Sequence, residues 1–348
     1  MAVEEVPVTA SPESPLVIVG PWTREARERA IAEEVRLAYI DYFRKAVKTR
    51  NWLPWDDLPL AEMREHGHLL SEDTITLIQS FLGIEDYVGD YVADAINIVG
   101  KIRARRNISL VWGMEEAKHA ETWELVLLHS GVRTQKQIDE YRDAVNAHTW
   151  TMGENHPGFD TPLGVAVYAM VQERATFFNY DELRKRIRSE YGLPERPTDD
   201  ERTRGKQVGA AGAFKIVSND EIAHHGMFLR IVDIYKKYLP EEALDMVWKV
   251  LGGFNMPALY LIPDASEMKA ALERTRLYTP LKHGRSIANP ILESLGLDNK
   301  RALERAVQSA KLLPPGLGPE HVSLSRSGEW VLSTTPGTTV PQQAASEA

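Results

Sequence analysis

Two segments of this chain place a glutamate three residues before a histidine, Glu116-Ala-Lys-His119 and Glu221-Ile-Ala-His224. On a helix that spacing brings both side chains to one face, about one turn apart, where they can grip a single metal ion. The neighbours turn the motif into a constraint on the fold. Trp112, Glu116, His119, Trp123 and Val126 step at helical intervals, as do Phe214, Val217, Glu221, His224, Phe228 and Ile231. In both helices an ionisable pair therefore lies inside an apolar stripe that must face a core.

Two further carboxylates are placed the same way. Ile78, Phe81, Glu85, Val88 and Val92 form one stripe, and Ala166, Met170, Glu173, Phe177 and Tyr180 form another. A buried carboxylate costs several kcal/mol unless it is protonated, paired or metal-bound. Four of them on four inward faces call for a common partner. Two divalent cations balance four ionised glutamates, so the expected ligand set is Glu85, Glu116, His119, Glu173, Glu221 and His224. One Glu from each of two helices and one Glu-x-x-His from each of two others is the ferritin-like arrangement. Carboxylate and imidazole ligands suit iron or manganese, and two iron ions are expected because they can activate O₂.

The rest of the chain narrows the class. It has 348 residues, 43% hydrophobic and 26% charged, within the globular range. Cysteine is absent, which removes disulfides, thiolate metal sites and cysteine nucleophiles. The formal charge of -9 disfavours nucleic acid as a partner. No apolar run approaches the roughly 20 residues of a membrane span. Residues 1–20 fit neither an export signal nor a transit peptide, so the expected location is cytoplasmic.

Between Thr23 and Leu312 the pattern is helix after helix, predicting an all-α fold, a ferritin-like four-helix di-iron bundle with additional flanking helices. The spacing predicts helices over 23–49, 71–104, 106–130, 134–149, 161–191, 202–238, 241–253, 264–276 and 298–312. Residues 21–313 read as a single domain, 1–20 as an extended or mobile segment, and 314–348 as a non-helical, partly mobile tail. Glu115 and His225, about 100° around their helices from the ligands, read as surface groups or supports behind the ligands. His66-Gly-His68 reads as a polar turn, and the basic runs 101–106 and 184–188 as solvated helix ends that could dock an acidic partner.

Beyond the site, the chain resembles the soluble acyl-acyl carrier protein desaturases of the stearoyl type. Trp52-Leu-Pro-Trp-Asp-Asp-Leu-Pro59 is similar to the family's W-x-P-x-D-x-L-P segment, and Glu85-Asp-Tyr-Val-Gly-Asp-Tyr91 to E-E-A-L-P-x-Y. Glu115-Glu-Ala-Lys-His119 resembles E-E-N-R-H, Gln172-Glu-Arg-Ala-Thr-Phe177 matches Q-E-R-A-T-F, and Asp220-Glu-Ile-Ala-His224 resembles D-E-K-R-H. Asn255-Met-Pro-Ala258 resembles S-M-P-A. The resemblance covers residues 30 to 312 and implies the same six ligands. It also implies that Asp220 hydrogen-bonds a ligand histidine and links toward Trp52 on an electron route, and that Thr176 sits at the O₂ pocket and assists proton delivery.

The resemblance implies a ferredoxin-dependent desaturase acting with O₂ on an acyl chain carried by acyl carrier protein, and a homodimer. The chain departs from the pattern inside both Glu-x-x-His units, in a shorter connection from Glu85 to Glu116, and in an apparent insertion over 188–204. Acyl length and double-bond position are therefore not carried over. Trp112, Met114, Trp123, Met170, Phe177 and Phe228 are candidates for lining an acyl tunnel. The alternatives are an acyl hydroxylase on a specialised carrier, a non-catalytic iron-handling protein, and a radical-generating subunit, for which neither Tyr168 nor Tyr180 is obviously placed.

Overall fold

A computed structural model describes residues 21–332; the expectations for 1–20 and 333–348 lie outside the described residues. The fold is all-α apart from one small hairpin. A long helix α1 (Arg24–Thr49) leads into two short ones, α2 (Pro54–Asp57) and α3 (Leu60–His66). Then come α4 (Glu72–Glu85), α5 (Val88–Val99), α6 (Arg103–His129) and α7 (Gln135–Val145). Helix α8 (Met152–Asn155) precedes α9 (Pro162–Glu190), and α10 (Asp199–Arg204) precedes α11 (Gly209–Tyr238). The remainder comprises α12 (Pro240–Gly253), α13 (Ala265–Thr275), α14 (Pro280–His283), α15 (Asn289–Ser294) and α16 (Lys300–Ala310).

Four units make the bundle: α4 continued by α5, then α6, α9 and α11. Helices α9 and α11 pack along most of their lengths, α6 packs on α4 and α5, and α1 covers α6 and α11. Helix α9 starts at an N-cap Thr161 followed by Pro162, whose missing N–H costs nothing in the first turn. Its middle is buried almost all round, so no narrow apolar stripe marks it.

Three expectations are corrected. The helix expected over 71–104 is two helices, because the chain turns at Asp86 and Tyr87. No glycine or proline breaks it; tertiary contacts do. Arg142 on α7 takes the Asp86 carboxylate at 2.7 and 2.8 Å, Tyr87 donates to the Val145 carbonyl, and Tyr91 donates to the Ile84 carbonyl that the turn releases. The buried face of α5 is consequently Tyr91, Ala95 and Val99, with Val88 and Val92 only half-buried. The helix expected over 202–238 is also divided, at Gly205, which adopts the left-handed conformation with φ +69°.

The third correction concerns the basic runs. Arg184 and Arg188 are buried; Arg188 forms a bidentate pair with Glu201 on α10, the second contact at 2.9 Å, which ties down the 188–204 segment. Arg105 is buried too. Among the described C-terminal residues, β1 (Val322–Leu324) and β2 (Trp330–Leu332) pair antiparallel, and Trp330 donates to the Ala306 carbonyl of α16.

Candidate metal centre

The turn after Glu85 sets that carboxylate at the end of α4, facing α6 and α11, while Glu116 and His119 project from the middle of α6. Glu173 projects from α9, and Glu221 and His224 from α11. All six expected ligands are no more than 5% exposed. Donor atoms of Glu85, Glu116, His119 and Glu221 lie within 4.8 Å of one another, as do those of Glu116, Glu173, Glu221 and His224. Glu116 and Glu221 belong to both groups, so each has two oxygens available to bridge neighbouring cations.

Hydrogen bonding tests whether metals fit. Glu116 Oε1, Glu221 Oε1 and both ring nitrogens of His119 are buried without a hydrogen-bond partner. Buried polar atoms are normally satisfied, and here Glu116 Oε1, Glu221 Oε1 and His119 Nδ1 face one cluster while His119 Nε2 faces Asp220 behind it. His119 Nδ1 lies 3.3 Å from Glu116 and 3.2 Å from Glu221, and His224 Nδ1 lies 2.8 Å from Glu116 and 3.3 Å from Glu173. Two divalent cations would coordinate these atoms and neutralise the four carboxylates.

Electrostatics points the same way. Burial, reinforced by the charges of Glu116 and Glu221, pushes the Glu85 and Glu173 carboxyls well up. Burial also opposes charge on His119, yet Glu116 and Glu221 outweigh it and hold this imidazole well above its usual range. Cations bound among these groups would supply the positive charge that four buried carboxylates call for.

Behind the ligands the two halves cross-brace each other. Asp220, just before Glu221 on α11, faces His119 Nε2 at 3.5 Å, and Glu115, just before Glu116 on α6, faces His224 Nε2 at 3.3 Å. Trp52 Nε1 donates to Asp220 at 2.8 Å, and its ring lies parallel to that of His119 with centroids 6.4 Å apart. Tyr42 donates to Glu115, and Arg50 Nε sits 3.1 Å from Glu115 and 3.7 Å from Asp220. Glu115, 1% exposed, is thus a support behind a ligand rather than a surface group. Its placement immediately before the ligand glutamate, matching Asp220 in the other unit, was the available sequence signal. His225 is buried as well, bonded to the Met170 carbonyl.

Thr176 is buried one turn after Glu173. Trp112 Nε1 donates to Glu173 at 3.1 Å, and Tyr180 donates its hydroxyl to Glu85. Tyr180 is therefore beside the cluster, contrary to expectation, whereas Tyr168 bonds the Asn255 carbonyl away from it. His66 ends α3 with Nδ1 against the Glu62 carbonyl.

A narrow apolar cavity of about 30 Å³ lies between α5, α6, α9 and α11, with Trp112, Phe228, Gln172, Tyr168 and Tyr91 on its walls. Of the tunnel candidates, Trp112 and Phe228 line it; Trp123, Met170 and Phe177 do not, and Met114 is 57% exposed. Trp150, from the segment between α7 and α8, and Met152, at the start of α8, were missed because a non-helical segment brings them there. No helix among the described residues is long and apolar enough to cross a membrane.

Comparison with known proteins adds one decisive match. A family model described as fatty acid desaturase matches residues 103–312. No curated protein matches the chain. Among solved structures, a mutant of an R2-like ligand-binding oxidase with anaerobically reconstituted Mn/Fe cofactor is 14% identical, with a TM-score of 0.47 over 75% of this chain and 92% of that one. A putative class I ribonucleotide reductase from Bacillus halodurans is 15% identical, with a TM-score of 0.47 over 75% of this chain and 83% of that one.

Proposed function

The chain belongs to the fatty acid desaturase family, and from that premise we propose that it removes two hydrogens from adjacent carbons of an acyl chain carried on acyl carrier protein. The proposed ligands of two iron ions are Glu85, Glu116, His119, Glu173, Glu221 and His224, with Glu116 and Glu221 common to both donor groups. When bound, the irons would supply the O₂-derived oxidant; O₂, two electrons, two protons and the two hydrogens removed from the acyl chain leave as two waters as the alkene forms. Ferredoxin is the proposed electron donor and the cytoplasm the proposed location.

The observation that carries this reading is Trp112, whose indole both lines the cavity and bonds the ligand Glu173. An apolar chain entering beside Trp112, with these side chains moving apart to admit it, would approach the metal-facing carboxylates while the aromatic walls exclude water. Asp220 holds His119 in a fixed tautomer and, through Trp52, connects the site toward the surface as the electron route. Thr176 is placed to hand protons toward the O₂ pocket from its position next to Glu173. These assignments predict the result of loading the reduced protein with iron, mixing it anaerobically with a panel of acyl carrier proteins, and then adding O₂. Mass spectrometry of the released chains should show loss of two hydrogens. Gain of one oxygen would make the protein a hydroxylase, and iron oxidation without substrate change would favour an iron-handling role.

One specific observation favours a second reading, a radical-generating subunit, namely the Tyr180 hydroxyl against Glu85. A tyrosyl radical seen by electron paramagnetic resonance after O₂ exposure, and lost in Tyr180→Phe, would establish it.

The proposed homodimer has a face suited to it. Tyr39 bonds Asn107 across the α1–α6 seam, and beside that contact Phe43, Val47, Leu110 and Met114 are 42–57% exposed. Large apolar side chains clustered along a seam are what a second copy would cover.

A further inference from the structure

Two buried polar atoms near the acyl cavity have no partner and no role in the metal centre. They are Trp150 Nε1 and His156 Nε2, on residues 3% and 7% exposed. The segment carrying them is fixed from its backbone: Trp150 N–H donates to Asp90 at 2.8 Å and Met152 N–H donates to Asp94 at 2.7 Å, both carboxylates on α5. The rings are held as firmly. Trp150 packs edge-on against Tyr91 at 4.7 Å between centroids, His156 lies 4.3 Å from Tyr168, and the Trp150 and His156 centroids are 6.2 Å apart. Trp150, Tyr91 and Tyr168 all line the cavity whose other end reaches Trp112 and Gln172.

A buried N–H left unpaired costs about 1–3 kcal/mol, and a cavity meant only for methylenes gains nothing from two such atoms. Burial lowers the His156 pKa, so the imidazole is neutral near pH 7 and one ring nitrogen is an acceptor. An indole N–H can only donate. A hydroxyl on a bound chain satisfies a donor and an acceptor together, accepting from Trp150 and donating to His156 Nε2.

We infer that the substrate is an oxygenated acyl chain bearing a hydroxyl that binds between Trp150 and His156. This rests on the desaturase reading for the acyl class and deepens it. Tyr168, which packs on His156, precedes Glu173 by five residues, about 7.5 Å of helix rise, so the hydroxyl lies several bonds from the carbons facing the metals. The pair acts as a ruler: it selects chains that carry oxygen and sets which carbons reach the site.

The test is a binding measurement on the full-length, metal-loaded protein without O₂, using pantetheine thioesters of hexadecanoic acid and of its monohydroxylated positional isomers. At least one isomer should bind roughly 10-fold tighter than the unsubstituted chain, as one or two added hydrogen bonds provide. Trp150→Phe and His156→Phe should each remove most of that gain, and His156→Phe should leave the affinity for the unsubstituted chain within about twofold. If Trp150→Phe does not fold, His156→Phe decides alone. No preference for any isomer, or a preference that survives His156→Phe, overturns the inference. Failure of the desaturase reading would show separately, as hydroxyl-selective binding without loss of hydrogens once O₂ is added.

Discussion

Glu115 Oε2 lies 3.3 Å from His224 Nε2, across the bundle from the helix that carries the histidine. With Asp220 facing His119 it forms a reciprocal brace, in which the acid preceding each Glu-x-x-His unit orients the histidine of the other. Burial raises the Glu115 carboxyl, but His224 and the Tyr42 hydroxyl outweigh it and hold it at about 2, so it remains an acceptor throughout the physiological range. Carboxylates behind metal-bound histidines typically change metal affinity 10–100-fold when altered. Glu115→Gln and Asp220→Asn should each weaken iron binding by about that factor, read by competition with a chelator of known affinity. Unchanged affinity in both variants would remove the brace from the account of the site.

The two shared carboxylates and the two unshared ones should behave differently. Glu116→Ala or Glu221→Ala is expected to reduce bound iron from two per chain to nearly none, because each serves both donor groups. Glu85→Ala and Glu173→Ala should each retain about one ion. Metal analysis after desalting distinguishes the patterns, and equal losses in all four would contradict the assignment of Glu116 and Glu221 to both donor groups. For the unaltered protein, metal at about 100 times its dissociation constant adds about 2.7 kcal/mol per site, so chelation should lower the melting temperature by several degrees.

Glu201 provides a pH-dependent test away from the metals. Burial raises its carboxyl, but Arg188 and the amides of Thr198 and Val208 dominate and hold it at about 2. A carboxyl depressed on folding stabilises the native state above its unfolded pKa of about 4.3, and that contribution fades as pH falls toward 2. Urea unfolding at pH 7 should show Glu201→Gln destabilised by about 3–5 kcal/mol, since Arg188 is left buried and unpaired. The gap between the two proteins should narrow at pH 3. A gap independent of pH would mean that packing, not the ion pair, holds the 188–204 segment.

The seam between α1 and α6 should be sensitive to charge. Leu110→Glu together with Met114→Glu places carboxylates at two positions already more than half exposed, so the monomer fold should survive. Sedimentation should show a dimer for the parent chain and a monomer for the variant. A dimer that persists would move the interface elsewhere.

The helical class and the inward placement of the six candidate donors were legible from the chain alone, for a local reason. Helical spacing fixes which side chains share a face, so Glu116 and His119 cannot avoid each other, and a carboxylate amid Trp112, Trp123 and Val126 cannot face water. What spacing could not reveal depends on residues far apart in the chain. The turn after Glu85 is made by Arg142 and Val145 on α7, not by any local breaker. The burial of Arg188 follows from Glu201 on another helix, and Trp150 reaches the cavity through a segment tied to Asp90 and Asp94. Periodicity along one helix decided which groups point inward; only packing between helices decided which of them meet, because that choice belongs to the global minimum of burial and hydrogen bonding and not to any one segment.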